Sequence, residues 1–326
     1  MVTAFTLPSG HVPPACALVI SSDVLAIDVL AIDVLAIDIG GTKVEAALVD
    51  EDGTLRSRHR RPSPADDGAD MWTAVFQVAD GALRDLPSGS VGPKVIGVGC
   101  GGPMTHGGEL LSPLNIGGWR DEPVAQRLAE RYGVPAFVDN DAKALALAEG
   151  WRGAAVGHSN YLAMVVSTGV GGGIVLNGSL LDGTDGNAGH IGHLVVEPDG
   201  RRCACGSQGC LEAEASGTAI AEITGRPAVV ADGAMRRRCG LLVGRAAASV
   251  ASLLDLRLVC VAGSVALGYG AEFFDAAQAE ADARARISFA RGVRIVPAGC
   301  GGEGPLVGAA AVGLRGLGGR GYPLVT

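Results

Sequence analysis

Val34-Leu-Ala-Ile-Asp-Ile-Gly-Gly-Thr-Lys-Val-Glu-Ala-Ala-Leu-Val49 runs as an apolar strand, a glycine-rich turn and a second apolar strand. It therefore reads as a hairpin with chemistry at its tip. Asp38 stands at the strand end, Gly40 and Gly41 let backbone N–H groups face an anion, and Thr42 and Lys43 add further donors. The glycine spacing and the strand that follows exclude a Walker A loop. The pattern recurs where Tyr161 to Ser167 and Gly173 to Leu176 flank Thr168-Gly-Val-Gly-Gly-Gly, which sets Thr168, Gly169 and Gly171 to clamp the same phosphates from the other side. One such tip is an ordinary turn. Two, each after an apolar strand, point to phosphate binding and to a chain of two related halves.

Outward from these hairpins, strands and helices alternate. The periodicity predicts helices over 72–86, 121–132, 241–254 and 306–314, and strands over 95–99, 134–138, 258–262 and 293–297. Asp139-Asn140-Asp141 precedes a further helix over 142–149, with Asp139 available as its cap. The whole is an α/β pattern with two sheets.

A second informative stretch is His190 to Glu212. Cys203, Cys205 and Cys210 with His193 supply the four ligands of a closed tetrahedral zinc site, and Gly206 and Gly209 allow the tight turn between the last two cysteines. A disulfide is the alternative, but a single residue between Cys203 and Cys205 suits a bridge poorly. Eight cysteines in 326 residues do not make a disulfide framework, so a reducing, cytoplasmic location is expected. Cys16, Cys100, Cys239, Cys260 and Cys300 read as packed residues or surface thiols.

Composition excludes several classes. With 48% hydrophobic residues, 18% charged and 51 glycines the chain is globular, and its length allows two domains. A net charge of −8 without a basic stripe excludes a nucleic-acid partner, and Arg236 to Arg238 reads as a solvated helix end. No signal peptide or membrane span is expected. Asp-Val-Leu-Ala-Ile is written three times from Asp23 to Ile37, and a period of five fits neither strand nor helix. Residues 1–33 are expected to be a mobile extension, 34–139 a small α/β domain joined by a C-terminal helix at about 305–326, and 140–304 a large α/β domain.

These motifs together, from Asp38-Ile-Gly-Gly-Thr-Lys through Asn140-Asp141, Ser167-Thr-Gly-Val-Gly-Gly-Gly and the segment from Gly189 to Glu212 to Gly263-Ser264, resemble the ROK family (repressor, open reading frame, kinase) from about Leu35 to Gly313. The resemblance implies the actin-like ATPase (ribonuclease H-like) fold, with two α/β domains flanking a sugar and ATP cleft. It implies an ATP-dependent hexose kinase, glucokinase-like, with Mg²⁺, a structural zinc and a homodimeric or larger assembly. In this implied scheme Asp141 is the base for the sugar 6-hydroxyl, while Asn140, His190, His193 and Glu212 contact sugar hydroxyls. Asp38 helps hold Mg²⁺ at phosphates bound by Gly40, Gly41, Thr42, Lys43, Thr168, Gly169 and Gly171, and Gly263 and Ser264 meet the adenosine.

Two residues depart from the pattern. His190 stands where such kinases usually have glutamate, so it accepts fewer hydrogen bonds, titrates near neutrality and competes with His193 for zinc. Lys143 stands where asparagine is common, placed either to depress the Asp141 pKa or to point into solvent. The alternatives are a kinase for N-acetylmannosamine, N-acetylglucosamine or fructose, a polyphosphate-dependent enzyme, or a non-catalytic sugar sensor. A ROK repressor is not expected, because 37 residues before the first phosphate loop, with a repeat and no basic recognition helix, cannot supply a winged helix-turn-helix.

Overall fold

The computed structural model describes residues 34–318, apart from 65–67, 87 and 89. The repeat-bearing segment, Cys16 and the last residues of the expected C-terminal helix lie outside them. The first half of the chain runs β1 (Val34–Ile39), β2 (Lys43–Val49), β3 (His59–Pro62), α1 (Gly68–Arg84), β4 (Val95–Cys100), α2 (Val124–Tyr132), β5 (Ala136–Asn140) and α3 (Asp141–Arg152). The second runs β6 (Tyr161–Val166), β7 (Val170–Leu176), β8 (Ser179–Leu180), α4 (Leu211–Ala215), α5 (Gly217–Thr224), α6 (Gly233–Leu254), β9 (Leu258–Ala262), α7 (Ser264–Tyr269), α8 (Ala271–Arg284), β10 (Arg294–Pro297) and α9 (Gly304–Gly318).

The two sheets are topological copies. The first has strand order β3-β2-β1-β4-β5 and the second β8-β7-β6-β9-β10 when read in the same sense. In each, the leading hairpin and its third strand pair antiparallel, and the last two strands add in parallel on the other side. This duplication is the actin-like ATPase topology, as expected from the repeated hairpins. β1, β2 and β4 are apolar or small along most of their length because both faces of their sheet are covered. Helices α1 and α2 cover one face, closing a core around Trp72, Trp119, Ile37 and Val98.

The central helices are exchanged. α3 follows β5 of the first sheet but packs on β6 and β7 of the second, while α9 follows β10 and lies on β1, β4 and β5. They pass close enough that a Cβ at Gly308 would lie 2.5 Å from the Ala144 carbonyl oxygen. A Cβ at Gly97 would lie 1.9 Å from the Ala309 carbonyl oxygen, so α9 touches the sheet only because small residues face small residues. Any larger residue at Gly97 overpacks this seam, at a cost of about 1–3 kcal/mol or more.

Several boundaries differ from the periodicity. α6 begins at Gly233, eight residues before its apolar run, because Asp232 caps it by accepting from Met235 N–H at 2.9 Å. α2 starts at Val124, just after Pro123. β7 starts at Val170, so Gly171 to Gly173 lie inside the strand and the turn itself is only Ser167-Thr168-Gly169. Those glycines answer to packing: a Cβ at Gly171 would lie 2.9 Å from Ala142 Cβ, and one at Gly173 2.8 Å from Lys143 Cα. Arg236 to Arg238 is not a solvated end, since Arg236 and Arg237 pair with Glu272 and Arg238 with the buried Glu214. No helix among the described residues is long and apolar enough to cross a membrane.

Candidate active site

The first hairpin turn is closed by Gly40 N–H donating to the Lys43 carbonyl at 2.9 Å, and by Ser63 N–H donating to the Thr42 carbonyl at 3.1 Å. Asp38 lies buried at the end of β1 with its carboxylate 3.5 Å from Lys43 Nζ. Lys43 also bonds Glu45, a fully buried carboxylate that Arg58 and Arg60 reach at 3.0 and 3.2 Å. Burial pushes the Asp38 carboxyl up to about 6 against the pull of Lys43, with Asp141 and Glu45 adding like-charge repulsion.

Asp141 faces Asp38 across one strand. A Cβ at Gly99 of β4 would lie 3.9 Å from both Asp141 Cα and Asp38 Oδ1, so the two acids flank that glycine. Asp141 reaches solvent, yet the protein crowding it raises its pKa, with Ala142 N–H and His190 pulling the other way. A solvent-reachable acid with a desolvated carboxyl is what the floor of a recess provides. Asn140 begins α3, and its side chain accepts from Ala142 N–H at 3.0 Å.

The second turn and the Gly263-Ser264 turn meet. Ser167 Oγ and Ser264 Oγ are hydrogen-bonded at 3.0 Å, and Thr218 at the start of α5 donates its hydroxyl to the Thr168 carbonyl at 3.0 Å. Gly263 has φ +101°, and a Cβ there would lie 2.2 Å from the Val166 carbonyl oxygen, so only glycine lets β9 turn here. Glu212 in α4 ties this turn to the next group, accepting from Val170 N–H at 2.8 Å.

His190 and His193 stack at 6.1 Å between ring centroids. Burial and then the nearby His193 lower the His190 pKa, while Asp141 and Glu212 act to raise it. His190 is thus a neutral imidazole at pH 7 that feels both of those carboxylates. His193 turns its Nδ1 to Cys203 Sγ at 3.7 Å, and Cys205 and Cys210 sulfurs are 3.7 Å apart. The four ligand atoms lie within 4.8 Å of one another, and His190 is not among them. An ion bound tetrahedrally at about 2.3 Å from sulfur spaces its ligands about 3.8 Å apart, so this group fits one zinc ion.

Comparison with known proteins settles the family: the model of the ROK family matches residues 34–315. The chain belongs to the ROK family. A glucokinase of Thermotoga maritima is 39% identical over 184 residues, 56% of this chain and 56% of its own length. The chain thus matches little more than half the length of that relative. An N-acetylmannosamine kinase of Yersinia pseudotuberculosis is 38% identical over 247 residues, 71% of this chain and 83% of its own length. Among solved structures, a ROK family glucokinase from Streptomyces griseus in complex with glucose and AMPPNP superposes with a TM-score of 0.74 at 29% identity, covering 86% of this chain and 99% of that one.

Two sequence expectations at this ROK site need correction. Asp139 does not cap α3; Asn140 does, and Asp139 instead accepts from Asn140 N–H at 2.8 Å and pairs with Lys143 at 2.8 Å. Lys143 therefore neither points into solvent nor depresses the Asp141 pKa, because it is buried and committed to Asp139 and Asp182. Sequence reading also missed Asn115, whose backbone and side chain lie within about 3 Å of where a Cβ at Gly41 would stand and which also borders Gly101. Asn115 sits in an aperiodic loop with no local signal to distinguish it. Glu45 was hidden for a different reason, since it reads as one polar residue in an otherwise apolar strand.

Proposed function

We propose that this ROK protein is an ATP-dependent hexose kinase that transfers the γ-phosphoryl group of ATP to the sugar 6-hydroxyl, with glucose as the sugar. The observation that carries this is the crowded aspartate at a helix start: Asp141 flanks Gly99 together with Asp38 of the first turn, and it lies in the field of His190, which also feels Glu212, the residue bonded to the second turn. Asp141 takes the proton from the 6-hydroxyl as that oxygen attacks the γ-phosphorus, the bond to the bridging oxygen breaks, and ADP leaves. General-base help of this kind contributes about 10²–10⁴-fold, and positioning and electrostatics supply the rest. Gly40, Gly41, Thr42 and Lys43 on one side and Thr168 and Gly169 on the other hold the phosphates, with Gly263 and Ser264 toward the adenosine. Asp38 is a hard oxygen donor with a second carboxylate, Asp141, nearby, so it suits Mg²⁺, which would neutralise phosphate charge when bound.

Asn140, His190, His193 and Glu212 orient the sugar hydroxyls. His193, Cys203, Cys205 and Cys210 would hold a structural zinc, with His193 Nδ1 facing Cys203 and Nε2 left for the sugar; bound by four ligands, it would brace their loop and take no part in the chemistry. The second reading is N-acetylmannosamine. It is favoured by the 83% coverage of the Yersinia kinase and by His190, whose neutral ring N–H donates where a carboxylate only accepts, as an acetamido carbonyl requires.

A coupled ADP-release assay over glucose, N-acetylmannosamine, N-acetylglucosamine and fructose tests both. Glucose-stimulated release supports the first reading, and release with N-acetylmannosamine alone supports the second. No stimulation by any sugar defeats the kinase proposal. Metal analysis of the purified protein is expected to find about one zinc per chain, as four ligands imply, with Cys205→Ser losing it.

A further inference from the structure

Four charged side chains interlock directly behind Asp141. Lys143, two residues further along α3, places Nζ 2.8 Å from Asp139 and 3.0 Å from Asp182, and donates to the Gly186 carbonyl at 3.0 Å. Arg315 of α9 reaches the same two carboxylates at 3.3 and 2.7 Å. The members come from four places: the end of β5, the first turn of α3, the segment after β8, and α9. Each carboxylate meets both cations and the charges cancel, the condition under which a buried ionic group is tolerated.

The segment after β8 closes on itself, with Ala188 N–H donating to the Asp182 carbonyl at 2.9 Å. Asp182 and Gly186 are therefore the two shoulders of a short loop that leads straight into Gly189 and His190. Lys143 holds both shoulders from the same helical turn that begins with Asp141. Burial works to raise the Asp182 pKa, but hydrogen bonds from Arg315 and Lys143 outweigh it and hold the carboxyl below its usual range, whereas at the deeper Asp139 burial outweighs the pull of the same two cations and raises it.

We propose that Lys143 is a positioning residue that, through Asp182 and Gly186, sets the loop leading to His190 and His193 in register with the Asp141 carboxylate. Its kinetic consequence rests on the hexose kinase reading; its structural consequence does not. Two readouts separate them. Hydrogen exchange of the full-length protein is compared among wild type, Lys143→Met and Asp182→Asn, the last being the milder change because the Asp182 side chain is 36% exposed. Residues 182–190 are expected to exchange faster in both variants while β9 keeps its protection. In steady-state kinetics kcat/KM for the sugar is expected to fall by about 10²-fold, the effect of a misplacement near 1 Å, with KM for ATP unchanged and Lys143→Arg recovering part of the loss. Unchanged exchange over 182–190 in Asp182→Asn overturns the proposal whatever the activity, and so does a loss that falls equally on ATP and sugar. Faster exchange in the variants of a wild type that phosphorylates no sugar supports the clamp and defeats the kinase reading.

Discussion

At the tip of β1 and β2 the side chains that meet are charged: the buried Asp38 and Glu45, and the half-buried Lys43 between them. At the equivalent tip of β6 and β7 hydroxyls meet, Ser167 with Ser264 and Thr218 with the Thr168 carbonyl, and a carboxylate beside them, Glu212, accepts from Val170 N–H. The strand order around both turns is the same, so the difference owes nothing to topology. The same fold thus carries two glycine turns with different side chains gathered around them. On the proposed reading the charged half carries the acids that meet metal and proton, and the largely neutral half carries the donors that bind phosphate and nucleoside.

If that division holds, the largest loss follows removal of the acid where the first sheet ends. Asp141→Ala is expected to cut kcat by about 10²–10⁴-fold with little change in the affinity for ATP, measured by steady-state kinetics and nucleotide titration. A variant that keeps wild-type kcat breaks the comparison. Next comes pH. Asp38, at about 6, and Asp141 both have raised pKa values, and their proposed roles require both to be ionised. The acid limb of kcat/KM is therefore expected near pH 6, and Asp38→Asn is expected to shift it downward while weakening MgATP. Stability carries the opposite sign. A raised carboxyl binds its proton more tightly in the folded state, so its contribution is full below the unfolded value of 3.8 and is lost as pH rises through about 6. Urea midpoints of wild type and Asp38→Asn across pH 4–7 read that trend, and the variant is expected to flatten it. The smallest effect belongs to the neutral half. Ser264→Ala removes one hydroxyl bond, worth about 0.5–1.5 kcal/mol, and is expected to raise KM for ATP without moving the pH profile. A moved acid limb in Ser264→Ala would remove the distinction between the halves.

Much of this was legible in the chain because it is written locally. Both hairpins, the cluster of His193, Cys203, Cys205 and Cys210 and the strand 258–262 follow from apolar runs and spacing over a few residues. α8 escaped notice because its buried positions, Phe273, Ala277 and Ala281, are mostly small and stand among charges, which blunts the apolar stripe. The interlock at Lys143 was illegible for another reason. Its partners lie 4, 39 and 43 residues away, and only the exchange of α3 and α9 between sheets brings Arg315 to the same carboxylates. Likewise the glycines of β7 look like a long flexible turn until α3 is laid across them. Local patterns announce elements and ligands, whereas charge pairing across crossed helices is a tertiary fact.

The most direct test of the central claim is a phosphorus and proton NMR spectrum of the products formed from MgATP and the preferred sugar. The account predicts a new phosphomonoester resonance coupled to the C6 protons of the sugar, formed with one ADP per sugar by the wild type and absent on the same timescale with Asp141→Ala. Phosphate appearing on another hydroxyl, or on O6 at the wild-type rate with Asp141→Ala, would contradict it.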